Sequence, residues 1–182
     1  GEKITLQAIK SLLSNLSSKP KHLLRANVIG PPSNVMIKKS SLIQYDDEYI
    51  WLVDVDYYIR LLEAGNKYMY LDQHLVSIGL HEDQTTVFCR NNEDVIVKEN
   101  IWLAHKMGLS VFNDILLYDY YWRLLRNYRI RSLETLYSYG VADERILPII
   151  NRMLRWEKII PLRVLKIGVV SKTLMFLSYL TK

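Results

Sequence analysis

A chain of 182 residues, 49% apolar and 24% charged, suits one globular domain with an appendage, and its seven glycines and five prolines exclude a low-complexity chain. Cys89 is the only cysteine, so an intrachain disulfide is excluded and a cysteine metal site has no basis. The net charge of +5 is uneven: residues 1–90 carry ten Lys/Arg and ten Asp/Glu, whereas residues 91–182 carry fourteen and nine.

The N-terminus has no apolar run followed by a cleavage site, so no signal peptide is expected. Gly1 in place of Met implies a start within a longer protein or after a removed tag. The single cysteine fits a reducing compartment.

Apolar residues at Ile4, Ala8, Ile9, Leu12, Leu13 and Leu16 predict a helix, broken at Pro20. Gly30, Pro31 and Pro32 punctuate a turn, after which the alternating "NVMIKK" predicts a strand. Asp46, Asp47 and Glu48 read as a solvated acidic loop. Tyr57, Tyr58, Leu61 and Leu62 continue at helical spacing to Gly65, a natural helix stop. "KYMYLDQHLVSIGLH" then predicts one or two short strands with a turn near Asp72 and Gln73.

Past Arg90 the pattern becomes helical, with Asn92, Ser110, Ser132 and Asp143 as expected N-caps. The sequence therefore predicts an α/β piece over residues 1–90 and a basic, helical region over residues 91–182. In "YDYYWRLLRNYRIR" aromatics alternate with arginines. That composition suits a buried helix with snorkelling arginines better than a nucleic-acid surface, and no nucleic acid is expected as a partner. The apolar tail from Pro161, with Arg163, Lys166, Lys172 and Lys182 spaced along it, either completes the core or lies on an anionic membrane surface. Lys172 leaves too short an uncharged run to span a bilayer.

The most informative stretch is "YIWLVDVDYYIRLLEAG", Tyr49 to Gly65, which sets Asp54 and Asp56 within an apolar run. An unpaired buried carboxylate costs several kcal/mol, about 2–7 even for uncharged polar groups, so these acids must be paired or used. Three readings stand. The acids cap and charge the first turn of a helix; they form a D-x-D site for a hard divalent ion; or one is a general base kept ionised by the helix dipole.

The order "RANVIGPPSNVMIKKS", "YDDEYIWLVDVDYYIRLLEAG", "KYMYLDQHLVSIGLHEDQTT" resembles the second half of a family 2 glycosyltransferase with the GT-A fold. The resemblance runs from about Asn27 to Thr86. It rests on an N-x-I-G-x-P-S-like segment, an acidic pair ahead of Arg60-Leu61, and an aromatic pair of segments closing on a histidine. It implies that residues 1–90 are the acceptor-side part of a partial GT-A domain. Asp54 falls on the catalytic base of an inverting transfer from a nucleotide-diphosphate sugar to a carbohydrate or lipid-linked glycan acceptor. By the same resemblance, Gly30, Pro31, Ser33, Asp56 and Arg60 lie at the substrate, and His81 at the metal or the donor phosphates.

Mg²⁺ or Mn²⁺ would be the cofactor, with its main D-x-D ligands upstream of this chain, so Asp54-Val55-Asp56 is not that motif. The chain departs from the family pattern at Val53, where Glu is common, and at Gly79, where Arg is common. The implied role is polysaccharide or glycoconjugate assembly by a cytoplasmic enzyme, peripheral on the inner face of the membrane. The competing expectation is a non-catalytic helical interaction or membrane-docking module.

Overall fold

The structure, a computed structural model, describes residues 16–73, 75–77, 79 and 85–181. The helix expected over residues 4–16 lies outside this range except for its last residue, Leu16, which is buried. The chain divides into two compact units, residues 1–85 and 86–182.

The first unit is organised by one helix, α1 (Val53–Glu63). Val55, Tyr58, Ile59 and Leu62 recur at helical spacing and are buried, and α1 packs on the single turn Pro20–Leu24 with its buried Leu23 and Leu24. Each such leucine contributes about 1.5–3 kcal/mol. The helix stops at Gly65, whose φ of +83° suits a residue without Cβ, and the Asn66 amide closes on the Leu61 carbonyl at 3.3 Å.

The α/β expectation is overturned here: the described residues are helical or irregular, with no strand among them. Where "NVMIKK" predicted a strand, the short turns Pro32–Asn34 and Lys39–Ser41 flank an extended Val35 whose amide is taken up by the Pro32 carbonyl, not by a neighbouring strand. The described part of residues 67–79 likewise carries no ladder, and Met69, Tyr70, Leu71, Leu75 and Val76 are exposed. The physical reason is that a strand exists only where a neighbour takes up its N–H and C=O groups. Alternation and β-propensity describe a fit to such a neighbour, not an intrinsic state. The described part of residues 1–90 is therefore not a partial GT-A sheet.

The second unit is all helical among its described residues. It comprises α2 (Thr85–Arg90), α3 (Glu93–Met107), α4 (Ile115–Asn127), α5 (Leu133–Ser138), α6 (Pro148–Ile159), α7 (Leu162–Leu165) and α8 (Gly168–Leu180). Helix α4 is central, packing on both α6 and α8. Its Tyr118, Tyr121, Trp122 and Leu125 are fully buried. Asp114 caps α4 by accepting from the Leu116 amide at 2.8 Å, and Ser132 caps α5 through the Thr135 amide at 3.4 Å. Ser110 and Asp143, expected as caps, instead sit in the short turns Leu109–Asn113 and Asp143–Arg145. Asn92 precedes α3, but its side chain donates back to the Phe88 carbonyl at 2.7 Å.

A carboxylate, a glycine turn and a tyrosine in the first unit

Asp54 is the second residue of α1, where first-turn amides have no carbonyl partner within the helix. Its Oδ1 accepts from the Val55 amide at 2.8 Å, and its Oδ2 accepts from the Asn27 side-chain amide, also at 2.8 Å. Leu52, not Asp54, occupies the cap position. Asp54 is only half-buried. Burial raises its pKa above the usual aspartate value, while the Val55 and Asn27 hydrogen bonds act in the opposite direction by favouring the anion.

Asn27 is held in turn by Gly30. Its Oδ1 accepts from the Gly30 amide at 3.1 Å, and its Nδ2 donates to the Gly30 carbonyl at 3.2 Å as well as to Asp54. Gly30 has φ +90°, and a Cβ there would stand 3.4 Å from the Asn34 side chain, so the turn favours glycine. Pro31 and Ser33 continue from this turn as exposed residues. Asn27 and Asp54, 27 residues apart in sequence, thus bring the Gly30 turn and the start of α1 together at one carboxylate.

Asp56 points elsewhere. It is fully buried and accepts from Arg60 Nε at 2.7 Å, while Arg60 Nη1 donates to the Gln44 carbonyl at 3.0 Å. This pair ties the first turn of α1 to the loop before it. Arg60 also lies over the Tyr57 ring at 5.9 Å, and Tyr57 stacks on Tyr45 at 4.0 Å between centroids.

Tyr58 is buried, and its hydroxyl has no hydrogen-bond partner among the described residues. Burial first, and then the charges of Asp54, Tyr45 and Tyr57, push its pKa far above the usual phenol value, so it is a neutral O–H donor. Tyr45 feels the Asp54 charge too and leaves part of its ring exposed. A carboxylate acceptor, a neutral hydroxyl donor and an accessible aromatic ring therefore share one locality.

His81 lies outside the described residues. Gly79 is described and exposed. Among the described residues no three His, Cys, Asp or Glu side chains are grouped to hold a metal ion. The neighbouring acid in sequence, Asp56, is turned to Arg60 rather than to Asp54. The described residues therefore do not fit a Mg²⁺ or Mn²⁺ site.

The sequence singled out Asp54 and Gly30 but not Asn27, Tyr45 or Tyr58 as individual site residues. The signal for Asn27 was its place at the head of "NVIGPPS". The two tyrosines read only as apolar positions. No family model matches the chain, and neither a curated protein nor a solved structure does.

Proposed function

We propose that the first unit supplies the acceptor-side catalytic group of an inverting glycosyl transfer in polysaccharide or glycoconjugate assembly, with Asp54 as the general base. The acceptor hydroxyl oxygen bonds to the anomeric carbon of a nucleotide-diphosphate sugar. The bond from that carbon to the diphosphate oxygen breaks, the nucleotide diphosphate leaves with the electron pair, and the hydroxyl proton passes to Asp54. A sugar hydroxyl is a poor nucleophile at neutral pH, and a positioned base contributes about 10²–10⁴-fold.

The observation that carries the reading is the bond from Asn27 to Asp54, which ties the Gly30 turn to a half-buried carboxylate at a helix start. Burial makes that carboxylate more basic than a free one, and the helix N-terminus keeps it ionised at neutral pH. The exposed part of Tyr45 offers a sugar ring a stacking surface beside Asp54, whereas the Tyr58 hydroxyl is buried. No step here runs through a metal ion.

The test is Asp54→Asn, which keeps the shape and the oxygen that accepts from Asn27. In the longer protein that includes the nucleotide-binding half, sugar transfer falls at least about 10²-fold, nucleotide-sugar binding survives and the circular dichroism spectrum is unchanged. Near-normal turnover refutes the assignment. Asn27→Ala removes a bond that lowers the Asp54 pKa, so the acid limb of the kcat/KM profile moves to higher pH.

A further inference from the structure

Helix α8 is built inside out. The face that meets α4 carries Ser171, Met175 and Ser178. Ser171 Oγ accepts from Trp122 Nε1 at 3.2 Å and from Arg126 at 2.9 Å, and Ser178 Oγ is bonded to the Tyr118 hydroxyl at 2.6 Å. The opposite face carries Val169, Phe176, Leu177 and Leu180, all exposed, with Val169 at 80% and Leu180 at 63%. Spacings of seven and eleven residues put Val169, Phe176 and Leu180 on one stripe.

The apolar surface extends beyond the helix. Ile159, 82% exposed, and Ile167 lie at the ends of α6 and before α8. Ile159, Ile160, Trp156 and Leu174 line a recess of about 230 Å³ with Arg155 at its edge.

Arg155, Lys158, Arg163, Lys166 and Lys172 are exposed in the same segment. Lys172 stands three residues after Val169 and four before Phe176, so it flanks the apolar stripe directly. Glu157 is the one acid in residues 148–182, and it is fully buried. Cations and large apolar side chains thus share this surface with no exposed carboxylate in the segment.

We propose that α8 and the adjoining ends of α6 and α7 seat the chain on an anionic bilayer, the apolar stripe entering the headgroup boundary and the cations meeting lipid phosphates. Charge decides the occupant. A second copy would bring the same cations against themselves across an isologous contact, whereas anionic headgroups complement them. The segment does not span: α8 has 13 residues, about 20 Å at about 1.5 Å per residue against a hydrocarbon core of about 30 Å. No helix of the described residues is long and apolar enough to cross a membrane.

The experiment is co-sedimentation of the whole chain with vesicles of phosphatidylcholine, with and without phosphatidylglycerol, at low and high salt. Vesicles containing phosphatidylglycerol bind at least about tenfold better, and salt weakens that binding. Phe176→Asp with Leu180→Asp abolishes it, with an unchanged circular dichroism spectrum. Lys172→Glu, which leaves the apolar stripe intact, lowers it by about fivefold or more. Absence of binding to either vesicle, binding indifferent to phosphatidylglycerol, or binding that survives the double substitution overturns the proposal. A dimer in ultracentrifugation that the double substitution converts to monomer assigns the face to a second copy and overturns it equally.

Discussion

Helices α1 and α4 are both amphipathic, of 11 and 13 residues, and both bury tyrosines, yet their polar atoms are treated differently. In α4 the Tyr118 hydroxyl meets Ser178, Tyr120 donates to Asn100 at 2.6 Å, Tyr121 donates to the Asn100 carbonyl at 3.1 Å, and Trp122 donates to Ser171. In α1 the Tyr58 hydroxyl is buried without a partner among the described residues, while a half-exposed carboxylate stands in its field. A saturated polar network fixes one packing arrangement. A buried donor left unsaturated is a cost that the described residues do not offset. The contrast is between the two helices: α4 commits its aromatic polar atoms to packing, whereas α1 sets a buried, unpartnered hydroxyl near a half-exposed acid.

The arginines in and just after α4 are committed in the same way. Arg123 pairs with Asp119 at 2.9 Å, and Arg126 reaches Ser171. Arg131 donates to the Glu157, Lys158 and Ile160 carbonyls at the end of α6, satisfying acceptors that the helix leaves open.

The sharpest way to break the scaffold is Trp122→Ala, which removes a fully buried indole and the donor to Ser171. A loss of about 3–5 kcal/mol is expected in denaturant unfolding, with collapse of the near-ultraviolet dichroism.

The second unit also holds buried polar atoms without a hydrogen-bond partner among the described residues: Trp102 Nε1 and both carboxyl oxygens of Glu157. Burial pushes the Glu157 pKa up to about 8, against the pull of Arg126 and Arg131. The folded chain then holds the proton that the unfolded chain releases at ordinary glutamate pH. Stability from this group is full below the unfolded value of 4.5 and falls as pH rises towards 8. Between those two values the slope is about 1.4 kcal/mol for each step of one in pH. Glu157→Gln removes that slope and stabilises the chain at alkaline pH. Parallel stability-versus-pH curves for the two proteins would contradict the buried-acid account.

The finest test applies one substitution to both units. Tyr118→Phe leaves Ser178 buried without its partner and costs about 1–2 kcal/mol, whereas Tyr58→Phe removes a hydroxyl with no partner among the described residues and leaves stability unchanged or slightly higher. Equal thermal shifts in the two variants would dissolve the distinction.

Legibility in the sequence followed the range of each interaction. The helix to Gly65 was readable because its pattern repeats within four residues, and so was the placement of Asp54 at its start. Asp114 as the cap of α4 was missed because Ser110 offered the same chemistry a turn earlier, and only the Leu109–Asn113 turn separates the two. The alternation in "NVMIKK" was real but found no strand beside it. The partnership of Asp54 with Asn27 left no local trace.

By itself the sequence determined where helices run, that the second half is basic, and that Asp54 opens an amphipathic helix, because these properties depend on neighbours along the chain. Tertiary structure alone decided that Asp56 is turned to Arg60 while Asp54 is left half-exposed, that residues 34–39 join no strand, and that α8 turns its serines inward and its large apolar side chains outward. Each of those outcomes depends on which atoms arrive from distant parts of the chain to meet a donor, an acceptor or an apolar face, and periodicity does not encode that.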